Sequence, residues 1–141
     1  MKHLFLTLVL AISFAYGVHA QTCSITLCTE VVKNERGNTD LLNVFGGFGD
    51  GAIGQENNFK IYVRFQDYSL NVSHTFYIVL LNPSGTVHLE GKKSNFSFIG
   101  PERSLAHTGN WGVTFDTAGI YKVVVYVDGK VASYLNVSVG D

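Results

Sequence analysis

The chain has 141 residues, 46% of them hydrophobic and 15% charged, with a formal net charge of −1. That is one domain's length of chain, and its near-neutral charge excludes the clustered basic surface of a nucleic-acid binder. An aromatic content of 13% excludes a disordered chain.

Residues 1–20 read as an address and not as part of the fold. Met1-Lys2-His3 is a short basic start, Leu4 to Ala15 is a run of apolar and small residues, and Val18-His19-Ala20 offers a cleavage site before Gln21. These are the three parts of a secretory signal peptide. The apolar run of about 12–14 residues falls short of the roughly 20 that a membrane span requires. The expectation is a cleaved signal followed by a single domain over 21–141. That domain carries a net charge of −2 once Lys2 leaves, is secreted or periplasmic, and has no membrane span.

The remaining chain reads as strands. Ile25–Val32 and Leu41–Phe45 are separated by the turn-like Asn34-Glu35-Arg36-Gly37-Asn38. A glycine-rich stretch from Phe45 to Gly54 is expected as a flexible loop with Phe48 and Ile53 exposed at its tip, and such loops contact partners. Phe59 to Phe65 alternates cleanly, with Phe59, Ile61, Val63 and Phe65 on one face, the signature of a half-buried strand. Ser73–Leu81 follows, with apolar residues at both parities, then the turn Asn82-Pro83-Ser84-Gly85. Thr86–Glu90, Ser94–Ile99 and Trp111–Phe115 are shorter strands, and Pro101–His107 is the one stretch suited to a turn or two of helix.

Tyr121–Val127 and Val131–Val139 flank Asp128-Gly129-Lys130, the strongest hairpin signal in the chain. A three-residue loop is expected there. It sets Val127 opposite Val131 and keeps Val123, Val125, Leu135 and Val137 on one face, whereas a one-residue slip turns every side chain over. About seven to nine short strands ending in a hairpin predict an all-β, immunoglobulin-like antiparallel β-sandwich. Tyr121 stands where such folds place a tyrosine that bonds back to the preceding corner, although the cysteine expected two residues later is Val123.

Chemical motifs are sparse. Gly49, Gly51 and Gly54 spell a literal G-x-G-x-x-G, but a strand follows where a dinucleotide site needs a helix. Cys23 and Cys28 form an even pair suited to an exported chain, and a disulfide between them requires Ser24–Leu27 to be a tight loop. His74, His88 and His107 lack metal-ligand spacing, and no serine has a nucleophile context, so neither a cofactor nor a metal is expected. Asp50, Glu56 and Asp67 are the acidic residues a calcium site would have to gather. Asn71, Asn95 and Asn136 open glycosylation sequons, which matter in a eukaryotic source. Tyr62, Tyr68, Tyr126, Tyr134 and Trp111 are candidates for an exposed aromatic platform that stacks on sugars or anchors a protein.

Thr26-Leu27-Cys28, a polar turn and Leu41-Leu42-Asn43-Val44-Phe45-Gly46-Gly47 resemble the opening of a family of small bacterial β-sandwich proteins of unknown function. The Asn82-Pro83-Ser84-Gly85 turn, the Ala118-Gly119-Ile120-Tyr121 corner and the Asp128-Gly129 hairpin extend the resemblance over roughly residues 26 to 139. Thr29 departs from the acidic residue expected after the cysteine, and the export signal is a second departure. The resemblance implies a sandwich fold and no catalytic residue. The leading expectation is an exported, non-enzymatic domain that binds or assembles with another macromolecule, either a protein or a glycan. Its contacts are expected from Phe48, Ile53, Trp111, Tyr62 and Tyr126. A carbohydrate-binding module, a hydrolase or metal enzyme with a concealed site, and a homodimer formed through an edge strand are the alternatives.

Overall fold

The computed structural model describes residues 21–101 and 103–140, so the expected signal peptide lies outside the described residues. Eleven strands run in chain order: β1 (Thr22–Cys28), β2 (Glu30–Lys33), β3 (Thr39–Leu42), β4 (Gly47–Phe48), β5 (Glu56–Gln66), β6 (Ser73–Leu81), β7 (Val87–Glu90), β8 (Ser94–Ser97), β9 (Ser104–Thr114), β10 (Gly119–Val127) and β11 (Lys130–Val139). They form a three-stranded sheet, β1-β5-β9, and a six-stranded sheet, β4-β11-β10-β6-β7, in which β8 also pairs with β6. A separate ribbon joins β2 and β3. No helix among the described residues is long and apolar enough to cross a membrane.

The sandwich follows from alternation. On β5, Phe59, Ile61, Val63 and Phe65 are buried, and on β10, Tyr121, Val123, Val125 and Val127 are buried; these inward rows meet between the sheets. Aromatic rings tighten one end, where Phe65 stacks on Phe96 with centroids 4.2 Å apart. Such pairs add about 0.5–1.5 kcal/mol beyond their buried area.

Tyr121 is fully buried, and its hydroxyl donates to the Thr117 carbonyl at 3.2 Å and accepts from the Thr117 N–H at 3.4 Å. This is the tyrosine corner expected at the entry to a late strand. Together with the order of strands in the two sheets it makes the sandwich immunoglobulin-like.

Three expectations about local structure are corrected. The described residues of Pro101–His107 form no helix: β9 begins at Ser104 and pairs with β5 along all eleven residues, from Ser104 opposite Gln66 to Thr114 opposite Glu56. The terminal hairpin uses a two-residue loop, with Val127 opposite Lys130 and Asp128 and Gly129 both at positive φ (50° and 76°), the backbone that a type I′ turn demands. A bulge between Val125 and Tyr126 then restores Val123 opposite Leu135 and Tyr121 opposite Val137, the body register expected from a longer loop.

The third correction is the glycine-rich stretch, which is fastened to the sandwich. β4 runs parallel to the end of β11, and a Cβ on Gly47 would stand 2.6 Å from the Ser138 carbonyl oxygen, so only glycine permits the approach. Gly140 donates to the Phe48 carbonyl at 2.8 Å, and Gly54 to that of Phe115 at 2.9 Å.

Cys23 and Cys28 are free thiols at the two ends of one continuous strand, opposite Phe65 and Lys60 of β5. Five residues of strand separate them by about 16 Å, beyond the roughly 7 Å that a bridge tolerates, and their odd spacing puts them on opposite faces. The disulfide that a tight Ser24–Leu27 loop would have allowed is therefore absent. Burial pushes the Cys23 thiol up to about 11. Burial also raises Cys28, with the Lys60 charge and the Glu30 backbone N–H working against it.

Two outcomes follow. Iodoacetamide labelling of unreduced, denatured protein adds two labels by mass, while folded protein at pH 7.5 (about neutral) labels slowly because the thiolate is scarce. Tyr121→Phe, which removes both hydroxyl bonds from a buried site, costs about 1–2 kcal/mol in urea denaturation.

Candidate functional site

The structure separates the residues expected to make contacts. Phe48 and Ile53 pack against the core: Phe48 lies with its ring centroid 5.2 Å from Phe59 and 4.9 Å from Phe115, so neither residue is an exposed loop tip. Trp111 points inward from β9 and is buried. Tyr68 is a core residue beside Phe65 and Phe96, and burial, with Cys23 and Asp128 nearby, pushes its hydroxyl up to about 12. Tyr62 sits half-buried on β5, on the outer face of the three-stranded sheet.

Tyr126 alone of the five finds an aromatic neighbour on an open surface. It stands opposite Tyr77 of β6, and the two rings stack with centroids 4.8 Å apart and planes within 5°. Both point outward, because Phe76, Ile78, Val125 and Val127, at the opposite parity, fill the core. Tyr134 of β11 is opposite Val124, hence diagonal to Tyr126, and is 60% exposed. Val131, opposite Tyr126, is 58% exposed. Lys122 places its ammonium 4.9 Å from the Tyr134 ring centre, and Lys93 lies 5.2 Å from that of Tyr77. The result is an outer face with an aromatic centre, an aliphatic margin and two cations, the residue types that anchor protein partners.

The faces of these rings are partly engaged already. Tyr77 and Tyr126 cover one another, and ammonium groups lie over Tyr77 and Tyr134. A pyranose stacks on an open ring face, which this arrangement offers less readily than it offers ring edges and hydroxyls to a protein.

At the hairpin end of the same sheet, His74 and Asp128 hold the turn. His74 is buried, and its Nδ1 donates to Asp128 Oδ2 at 2.7 Å, while the Thr75 N–H donates to Oδ1 at 2.9 Å. The Asp128 N–H donates in turn to the Thr75 carbonyl at 2.8 Å. The His74 bond, then the Thr75 N–H, hold the Asp128 carboxyl below its usual range. His74 Nε2 is buried without a partner. Tyr68, His74, Asp128 and Lys130 line a cavity of about 440 Å³ there.

The calcium arrangement does not form. β5 spans Glu56–Gln66, so Asp67 and the pair Asp50 and Glu56 sit at opposite ends of an eleven-residue strand. Among the described residues, no group of three or more His, Cys, Asp and Glu side chains is placed to hold a metal ion. The sequon asparagines Asn71, Asn95 and Asn136 are all exposed, and Asn95 Oδ1 accepts from the Thr75 hydroxyl at 2.9 Å.

Sequence reasoning identified Tyr126 and Tyr134 but missed Tyr77 and the His74–Asp128 pair. Tyr77 is on the outward parity of its strand, a signal that was readable. Its partnership with Tyr126 depends on the β6–β10 register, which no local pattern reveals.

No family model matches the chain, and no curated protein does. Among solved structures it is similar to the CARDB domain of a Pyrococcus furiosus protein in complex with di-metal ions. The identity is 17% and the TM-score 0.41, over 84% of this chain and 94% of that one. At that distance no residue role carries over.

The depressed Asp128 carboxyl sets a sign for acid stability. The unfolded carboxyl titrates near 3.9 (approximately) and the folded one lower, so its contribution is complete above that value and is lost as pH falls through the folded one. Asp128→Asn is expected to lower stability at neutral pH and to flatten the decline below about pH 4, measured by urea midpoints across pH.

Proposed function

We propose that this chain is an exported, non-enzymatic β-sandwich domain that binds or assembles with a protein partner through the outer face of its six-stranded sheet. The observation that carries this reading is the outward cluster of Tyr77, Tyr126 and Tyr134 with Lys93 and Lys122. Tyrosine supplies large contact area with little side-chain entropy to lose and a hydroxyl that can bond across an interface. Two lysines at the rim steer a partner with acidic groups. Export rests on the tripartite pattern of residues 1–20. Protein is favoured over glycan because the ring faces are engaged by one another and by the ammonium groups.

The test uses the full-length chain in its producing cells. A photo-crosslinking benzoylphenylalanine at Tyr134 is expected to give one discrete adduct on irradiation, and the same group at Tyr62, on the opposite outer face, none. Combining the label with Lys122→Glu and Val131→Asp should remove the adduct. Intact mass of the exported product should begin at Gln21. Equal adducts from both faces, or a product retaining Met1, would overturn the reading, and saturable binding of a glycan to this face would replace the protein partner.

A further inference from the structure

β9 lies at the edge of the three-stranded sheet, with β5 on one side and, among the described residues, no strand on the other. Flanking it, the Arg103 and Phe115 carbonyls accept from Asp67 and Gly54 at 3.0 and 2.9 Å, both on the β5 side. An antiparallel ladder alternates, so the odd residues of β9 bond to β5. The even ones aim their N–H and C=O groups outward. His88 Nε2 meets the outward carbonyl of Thr114 at 2.8 Å. Among the described residues nothing meets the outward groups of Ala106, Thr108, Asn110 and Gly112. Natural edges are usually blunted by shortness, lysine or proline. β9 has eleven residues and contains no Lys, Arg, Asp, Glu or Pro.

A cleft of about 310 Å³ opens beside this edge, between the sheets. Phe76, Ile78, Leu89 and Trp111 supply its apolar surface, and Glu90, Lys92 and Asn110 lie among its polar residues. Glycine helps make the space, since a Cβ on Gly91 or Gly109 would stand 3.0 Å from the Trp111 indole. Phe76 packs on His107 of β9 with ring centroids 4.8 Å apart, so the cleft lies where the margin of β9 meets the inward row of β6.

We infer that β9 accepts an extended segment of another polypeptide as a fourth strand, with one large apolar side chain of that segment lodged in the Trp111 cleft. The unpaired backbone calls for a strand, and the cleft has room for a single phenylalanine or leucine side chain. The uncharged edge, with one acidic and one basic residue, Glu90 and Lys92, lining the cleft, calls for a neutral segment. A second copy of β9 fits less well. In a two-fold pairing its residues nearest the cleft are His107, Gly109 and Trp111, and Trp111 is already committed to its own core. This surface is separate from the tyrosine face, and neither proposal depends on the other.

Trp111 is the only tryptophan of the chain, so its fluorescence reads the cleft directly. The probe is an acetylated nonapeptide of threonines with a central phenylalanine. It is compared with the same peptide carrying alanine at the centre and with one N-methylated at alternate amides. The phenylalanine peptide should shift the Trp111 emission saturably, and both comparison peptides should bind at least about tenfold more weakly. Asn110→Pro removes an outward N–H without touching the ladder to β5, and should abolish the shift. If that variant fails to fold by circular dichroism, Thr108→Lys serves as the edge block. No emission change up to about 1 mM peptide, or unchanged affinity in the edge variant or for the N-methylated peptide, overturns the inference. A dimer in sedimentation that the edge variant dissolves would give the edge to a second copy and also overturn it.

Discussion

The register of β10 is pinned at both ends, and the rest of the molecule is arranged around it. At its start the Tyr121 hydroxyl is locked to Thr117; at its end Asp128 ties the turn to Thr75 and His74. A strand fixed at two points cannot slip by one residue, and a slip would exchange its two faces. Val123, Val125 and Val127 therefore face the core, and Lys122, Val124 and Tyr126 face out. The pairing of Tyr126 with Tyr77, the packing of β6 against the other sheet and the position of β11 all follow from that choice.

The outward face is partly self-shielding. Val79 and Val124, paired on the outward parity of β6 and β10, are each only 4% exposed. Their neighbours on the same face are large: Tyr134 stands opposite Val124, Tyr77 and Tyr126 stack beside the pair, and the Lys122 ammonium lies over the Tyr134 ring. Rings held by stacking and by nearby ammonium groups have little freedom left to lose on association, so the face is organised before any partner arrives.

What could be read from the sequence was set by local alternation. Phe59 to Phe65 identifies β5 because four large apolar residues share one parity, and Tyr121 identifies its corner because the residues around it are close in sequence. β9 was obscured because its first half, Ser104 to Gly109, has a single large apolar side chain, Leu105, and Pro101 suggested a helix start; its strand character comes from the long ladder with β5. Phe48 and Ile53 looked exposed because five neighbouring glycines resemble a mobile loop. Their burial depends on β11, which follows about 90 residues later. Cys23 and Cys28 resembled a bridge by count alone, and strand geometry forbids it. The stacked tyrosines belong to strands more than 40 residues (roughly) apart, and periodicity carries no information at that range.

The terminal hairpin combines two registers in one strand pair, one at its tip and one in its body. The residues between Val125 and Ser133 satisfy the same body register in two ways: a wider loop with an even ladder, or the tight loop and bulge that the molecule adopts. The extra residue is taken up between Val125 and Ser133, so the turn that Asp128 anchors and the body register are both satisfied. Asp128 keeps its hold on His74 and Thr75 at the tip while the valine rows behind the bulge keep a register of their own.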